Sequence, residues 1–492
     1  MAFEMGGAKN SSMPESLKQK TVKGVSWSLA EQLLTRGTNF VLGILIARIL
    51  SPTDYGLVGM LGLFLGISQL FIDGGLTSAL IRTKNPSEKD FSTVYLINIG
   101  LSVFFYFLLF FAAPVISDFY GQALLTPLTR VVALILVISS VSSVQSTLLT
   151  IRVDFKTKTY ISIASALASG FVGVMCAYGG WGVWALIAQS LVSTAVMSLL
   201  TLMLVRWMPR PVFSKDSFQR LFSYSSKLLA ASCISVIYDN SYPLVIGKRL
   251  TPADVGQYAR GGQFPGIADS TITGALNRVA FPVLSQIQDD DEHLLRVYEK
   301  YIKLSSFLIF PLMMGLCGCA KPIVLLLLKE QWLACVPLMQ LLCFGKMTNG
   351  ITTINLNLLY VKGRSDLVLK LEIIKKTIAF AILFVTMFFG LKIMCGGQVV
   401  YAFIALCLNT HYTKKLLGYS LWRQLNAVAP YFLLSLLVLA ISAASVLLIH
   451  NGPASIVAAM ILCPAVYLYI AKKANLYAYR EAVALVRERI NL

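Results

Sequence analysis

Apolar runs of roughly twenty residues, each closed by charge, proline or glycine, recur from one end of the chain to the other. They predict membrane spans at 24–48, 55–82, 92–113, 126–150, 159–178, 183–205, 221–247, 255–284, 303–320, 335–361, 367–390, 397–413, 428–449 and 453–471. A run of about twenty residues matches a hydrocarbon core about 30 Å thick. The runs are continuous and do not alternate, so the spanning elements are helices, not barrel strands. The expected fold class is an all-α polytopic membrane protein of about fourteen transmembrane helices.

Composition agrees with that pattern. Hydrophobic residues make up 57% of the 492 and charged residues only 13%, where a soluble domain carries about 25% charged. The formal charge of +19 does not point to nucleic acid, because the basic residues sit in short clusters between apolar runs. With the N-terminus placed in the cytoplasm, 31 lysines and arginines fall on the cytoplasmic side and 7 outside. That count assigns Lys362 to Lys376 to one cytoplasmic segment and Arg260 to the outside. The bias is a positive-inside signal and puts both termini in the cytoplasm. The basic surface then faces anionic membrane lipids. The first twenty residues are polar, with no cleavable leader expected. Nine scattered cysteines read as small packing residues, with no disulfide framework, metal site or cofactor expected.

The chain repeats itself. Leu50-Ser-Pro-Thr-Asp-Tyr-Gly56 matches Leu250-Thr-Pro-Ala-Asp-Val-Gly256, and Asp73-Gly-Gly-Leu-Thr-Ser-Ala-Leu-Ile-Arg82 matches Asp269-Ser-Thr-Ile-Thr-Gly-Ala-Leu-Asn-Arg278. A third echo pairs Pro127-Leu128 with Pro337-Leu338 and Leu148-Leu149 with Leu358-Leu359. Collinear polar matches of this kind indicate an internal duplication. The expected organisation is a cytoplasmic segment 1–20, an N-lobe 21–206 of six helices, a cytoplasmic linker 207–220, and a C-lobe 221–420 of six more. Two extra helices at 421–472 and a cytoplasmic basic tail at 473–492 complete it. Lobes repeated in one orientation around a central cavity typify alternating-access transporters. In the first motif, Ser51 or Thr251 caps a helix, Pro52 or Pro252 opens it, and Asp54 or Asp254 suits its positive end. A helix start with no further role is the expectation there.

Ionisable groups inside spans are costly and mark functional candidates. Span 1 holds Glu31 and Arg36 with Gln32 and Asn39, and span 7 holds Lys227 and Asp239 with Asn240. Gln32, Arg36, Asn39 and Gly43 step by three or four and share a helix face. Two such polar stripes, one per repeat, fit opposite walls of a water-filled cavity, or an interlobe salt-bridge network. Asp73 and Asp269 recur near the cytoplasmic end with Arg82 and Arg278 two and a half turns later, which suits pairing or gating. Arg130 and Lys346 lie near span ends, where snorkelling is easy.

At these residues the sequence resembles the polysaccharide-export flippases of Wzx type, within the multidrug/oligosaccharidyl-lipid/polysaccharide exporter superfamily. It is most similar to the colanic-acid-exporter branch. The carrying segments are Ala47–Gly56, Asp73–Arg82, Asn277–Asp289 and Pro337–Leu342, and the likeness covers roughly residues 18–425. Gly74 stands where the family often has Phe. The resemblance implies an undecaprenyl-pyrophosphate-linked oligosaccharide as cargo, for O-antigen, capsule or exopolysaccharide, in a bacterial inner membrane. It implies a cationic cavity, for which Arg36 and Lys227 are candidates beside Gln32, Asn39 and Asn240. Proton or sodium coupling would fall to Glu31 or Asp239, and a polysaccharide polymerase with chain-length machinery would be partners. A multidrug antiporter on the same fold is the alternative; it calls for an acidic aromatic cavity. A membrane glycosyltransferase or ligase is disfavoured, since there is no large external loop and no nucleophile, phosphate-loop or metal motif. The chain is expected not to be an enzyme.

Overall fold

The computed structural model describes residues 34–449 and 451–490; among them it is built of helices. The chain divides into two compact units, residues 1–46 with 64–234, and 47–63 with 235–492.

The first unit takes in α1 (Leu34–Ala47) up to residue 46 and α3 (Gly62–Asp73) from residue 64. It continues through α4 (Leu76–Arg82), α5 (Glu88–Tyr120), α6 (Leu125–Val132), α7 (Leu134–Ser140), α8 (Ser143–Ile151), α9 (Phe155–Tyr178) and α10 (Val183–Leu204). The helix α11 (Lys215–Arg249) contributes its first part here and the rest to the second unit. Glycines make room for the packing: a Cβ on Gly170 would collide with Leu42, and one on Gly173 would lie 2.9 Å from Ile46. Span 2, expected as one helix, is interrupted at two residues between α3 and α4, although 62–82 remains long and apolar enough to cross a membrane as one span. Gly74 and Gly75 both take positive φ, at +52° and +67°, a conformation that glycine adopts without steric cost. The span expected at 126–150 is likewise bent, by 44° between Ser140 and Ser143.

The segment expected as the interlobe linker is stapled to the start of α5. Trp207 Nε1 donates to Glu88 at 3.2 Å, and the backbone N–H of Ser214 donates to Thr93 at 3.0 Å. Arg220 reaches the buried Asp90 at 2.5 Å, and Ser87 and Asp90 close a capping box over the helix start.

The second unit holds α2 (Pro52–Met60), α12 (Pro252–Gln286), α13 (Asp291–Gly318), α14 (Ala320–Leu328), α15 (Cys335–Met347) and α16 (Asn349–Val361). It ends with α17 (Ser365–Thr386), α18 (Leu391–Leu417), α19 (Leu421–Leu448), α20 (Gly452–Lys473) and α21 (Tyr477–Ile490). Both copies of the repeated motif start helices as expected. Ser51 with Asp54, and Thr251 with Asp254, form capping boxes, each with proline in the first turn. The motif does more than that. The two helix starts pack on each other reciprocally: a Cβ on Gly56 would strike the carbonyl of Pro252, and one on Gly256 the carbonyl of Pro52. Small residues that let helix backbones touch are the usual adhesive inside membranes.

Around this crossing, Trp332 Nε1 donates to Ala47 O at 2.8 Å, and Gln331 Nε2 donates to Ala47 O and Leu50 O, each at 3.0 Å. Arg260, counted from the sequence as a loop residue, is buried within α12, with its guanidinium 4.0 Å from the Tyr55 ring and 5.6 Å from that of Trp332. The aromatic faces make burial of that cation tolerable.

Deeper in the unit, Tyr298, Asn355, Thr410 and Gln424 form a fully buried hydrogen-bonded cluster joining α13, α16, α18 and α19. The tail expected at 473–492 contains a docked helix: Ala478 N–H donates to Tyr431 Oη at 3.3 Å, and Lys300 pairs with Glu481.

Among the described residues, eight helices are long and apolar enough to cross a membrane alone, and nine if the bent pair counts as one span. Two of the other expected spans differ for visible reasons. The run 335–361 breaks at Thr348 between α15 and α16, and α17 carries Lys370, Glu372, Lys375 and Lys376 in its middle.

Candidate functional site

Within the second unit, α11, α12, α15, α16, α17 and α18 enclose a polar cavity of about 450 Å³. Its walls carry Tyr238, Asp239, Tyr242, Tyr258, Lys346, Glu372, Lys375, Lys376, Gln398 and Tyr401, among others. Spacing explains why they converge. Glu372, Lys375 and Lys376 are three or four residues apart and share a face of α17, while Gln398, Tyr401, Ala402 and Ala405 do so on α18.

Lys375 is only 4% exposed. Its ammonium pairs with Glu372, one turn earlier on the same helix. The Lys376 ammonium lies 3.6 Å from the centre of the Tyr238 ring, a close cation–π contact. Tyr242 and Tyr258 stack with their planes 11° apart, and Tyr258 accepts from Gln398 Nε2 at 2.7 Å. Three lysines and two carboxylates leave one positive charge in excess. An arrangement of cations and aromatic faces suits an anionic group joined to something that stacks, such as a sugar ring.

The candidates read from the sequence are distributed unevenly. Asp239 lines the cavity, and Lys346 joins it from α15. Asn240 donates to Val236 O at 2.9 Å, and a Cβ on Gly62 would come within 2.8 Å of its side-chain oxygen; it packs more than it lines. Arg36 and Asn39 are exposed on α1 in the first unit. Glu31 and Gln32 lie outside the described residues, and so does the side chain of Lys227. Asp73 accepts from Gln69 Nε2 at 3.3 Å. Asp269 is buried and held by Thr273 at 2.9 Å and Asn349 at 2.7 Å. Arg82 is exposed, and Arg278 edges a separate open cleft with Asn277, Asn357 and Tyr360. Arg130 lies over the Phe110 ring at 4.5 Å.

Lys375 and Lys376 were missed, because the charge count had placed them in a cytoplasmic segment. The available signal was distance: ten helical residues from Ser365 to Lys375 span about 15 Å, half a bilayer core. A second cavity, of about 390 Å³, is lined almost wholly by apolar side chains of α13, α14, α19 and α20, Phe307, Pro311, Met460 and Tyr467 among them.

Residues 45–337 match the family described as polysaccharide biosynthesis protein. That stretch is more than half of the chain. The chain belongs to the polysaccharide biosynthesis protein family. Among relatives of this polysaccharide biosynthesis protein, the succinoglycan biosynthesis transport protein ExoT of Rhizobium meliloti is 28% identical over 69% of both chains. The lipopolysaccharide biosynthesis protein WzxC of Escherichia coli is 26% identical over 85% of this chain and 82% of its own. The teichuronic acid biosynthesis protein TuaB of Bacillus subtilis is 24% identical over 72% and 74%. Among solved structures, the lipid II flippase MurJ in an inward closed conformation aligns with a TM-score of 0.72 at 13% identity, over 92% of this chain and 99% of that one. An inward-facing multidrug resistance transporter of the MATE family aligns at 0.61 and 15%, over 78% and 95%. Both show the fold alone: a multi-pass helical membrane protein.

Proposed function

We propose that this protein translocates an undecaprenyl-pyrophosphate-linked oligosaccharide repeat unit across the bacterial inner membrane by alternating access, for assembly of a surface polysaccharide. Transport, and not catalysis, is its activity in this reading, and both termini face the cytoplasm. The observation that carries it is the buried lysine–tyrosine cavity in a chain of the polysaccharide biosynthesis family. A pyrophosphate offers several acceptor oxygens for charge-assisted bonds from Lys346, Lys375 and Lys376, and the tyrosine faces suit the sugar next to it. The relatives' names point the same way: ExoT is a succinoglycan biosynthesis transport protein, and WzxC a lipopolysaccharide biosynthesis protein.

The drug-antiporter alternative calls for an acidic aromatic cavity. The cavity is aromatic, but its lysines outnumber its carboxylates, which disfavours cationic drugs. Arg36 and Lys227 remain proposed as further cationic contacts, and Asp239 or Glu31 as the place where a coupling ion would act.

The test is reconstitution of the purified protein in vesicles loaded on one leaflet with the lipid-linked oligosaccharide. Sugar becoming accessible on the other leaflet is measured by lectin capture. Faster appearance than in protein-free vesicles, lost in Lys375→Gln with Lys376→Gln, is expected. Rates equal to protein-free vesicles defeat the reading.

A further inference from the structure

The cavity just described contains its own counter-ions, and the two signs of charge are placed differently. Lys375 is buried, with its side chain 6% exposed, whereas Glu372, its partner, is 37% exposed. Asp239 is exposed as well, and both carboxylates interact electrostatically with Lys376. The cation is fixed in the wall, while the anions are the more accessible groups. Short pairing along one helix, with the acid preceding the base by three residues, forms and breaks locally without moving a neighbouring helix.

We infer that Glu372, assisted by Asp239, is an exchangeable counter-ion: it occupies the anion-binding position of Lys375 in the empty protein and is displaced when an anionic diphosphate binds. This rests on the proposed flippase reading and deepens it. An empty transporter must pass back through the membrane with Lys375 buried, and a buried unpaired cation is strongly disfavoured. A carboxylate that returns to the lysine as cargo departs removes that obstacle. It also competes with cargo, so it holds affinity down and hastens release. Glu372 is therefore a positioning and specificity residue with an unusual signature. Removing its charge should tighten binding and slow release together, whereas loss of a structural prop should weaken binding and stability together.

The test uses full-length protein in nanodiscs of zwitterionic lipid, with inorganic pyrophosphate as the probe, measured by calorimetry and stopped-flow displacement. Glu372→Gln is expected to bind about tenfold more tightly than the unmodified protein, chiefly through slower dissociation. Asp239→Asn, whose side chain is exposed, is expected to shift affinity in the same direction by a smaller factor. If both variants fold and bind pyrophosphate as weakly as before, or more weakly, the counter-ion role is overturned while the flippase reading stands. If Glu372→Gln fails to fold, Asp239→Asn and Glu372→Asp decide: no gain in affinity in either overturns it. If neither the unmodified protein nor any carboxylate variant binds pyrophosphate, the anion-cavity reading itself fails.

Discussion

Gly56 lies against the carbonyl of Pro252 so closely that a single added carbon would collide with it. Gly256 stands in the same relation to Pro52, so the two copies of one short motif are each other's packing surface. Ala at Gly56 or Gly256 is expected to destabilise the protein by about 1–3 kcal/mol, the usual cost of overpacking. Thermal unfolding in detergent is the measurement. Gly274→Ala is the control, since nothing lies within 4 Å of the position a Cβ would take there; equal melting temperatures for Gly56→Ala and the control would deny the crossing its role.

Arg260 provides a second test near the same crossing. Its cation lies over Tyr55 and Trp332 inside the unit, and desolvated contacts of this kind contribute about 2 kcal/mol or more. Arg260→Ala should lower stability by roughly that amount, and Arg260→Lys by less, because an ammonium keeps the charge but loses the stacked plane. Trp332→Phe removes a hydrogen bond to Ala47 O and should cost about 1 kcal/mol. A melting curve unmoved by Arg260→Ala would show that the cation contributes nothing there.

The Tyr298–Asn355–Thr410–Gln424 cluster should tolerate single changes poorly. Gln424→Leu leaves the partners of Gln424 incompletely bonded in a dry interior, at about 1–3 kcal/mol for each unsatisfied group. Interhelical bonds in membranes average nearer 0.6 kcal/mol, so the lower end of that range is expected. Protein yield and melting temperature report it, with Asn357→Leu, in the Arg278 cleft, as a comparison outside the cluster.

Docking of α21 should depend on acid. The hydrogen bond from Lys300 holds the Glu481 carboxyl below its ordinary value of 4.5. A carboxylate whose pKa is depressed on folding contributes support above the unfolded value and loses it as pH falls through the lower, folded one. Backbone hydrogen exchange across 477–484 should therefore stay slow from neutral pH down to about pH 4.5 and speed up below it, beyond the intrinsic pH dependence of exchange. Glu481→Gln should show the faster exchange already at pH 7. Identical protection in that variant would remove the ion pair from the account.

Helix starts and the membrane class were legible in the sequence because they depend on local chemistry. Ser51 with Asp54, and Thr251 with Asp254, announce capping boxes before any neighbour is known. The interruption at Gly74–Gly75 was not read, although two adjacent glycines after Asp73 carried the signal. The breaks at Ser140–Ser143 and Thr348 fall in the polar stretches Ser139-Ser-Val-Ser-Ser143 and Lys346-Met-Thr-Asn-Gly350, but such residues are also tolerated inside an unbroken membrane helix, so the pattern alone did not separate the two cases. Asp239 was found because a carboxylate within a span is conspicuous. Lys375 and Lys376 were not, because counting lysines by side presumes that they lie in loops, whereas these two lie on α17 and line the cavity. The reciprocal Gly56–Pro252 contact depends on residues about two hundred apart meeting, which a motif does not disclose.

The charged middle of α17 also has a consequence for how the chain is made. With Lys370, Glu372, Lys375 and Lys376 in 22 residues, this segment partitions poorly into lipid when presented alone, since each central charge opposes insertion by about 2.5–3.5 kcal/mol. The Glu372–Lys375 pair offsets part of that, and the rest requires protein neighbours. Ribosome-borne synthesis must therefore deliver α17 to an insertion channel that retains it until α18, which is apolar enough to cross by itself, has emerged and can shield it.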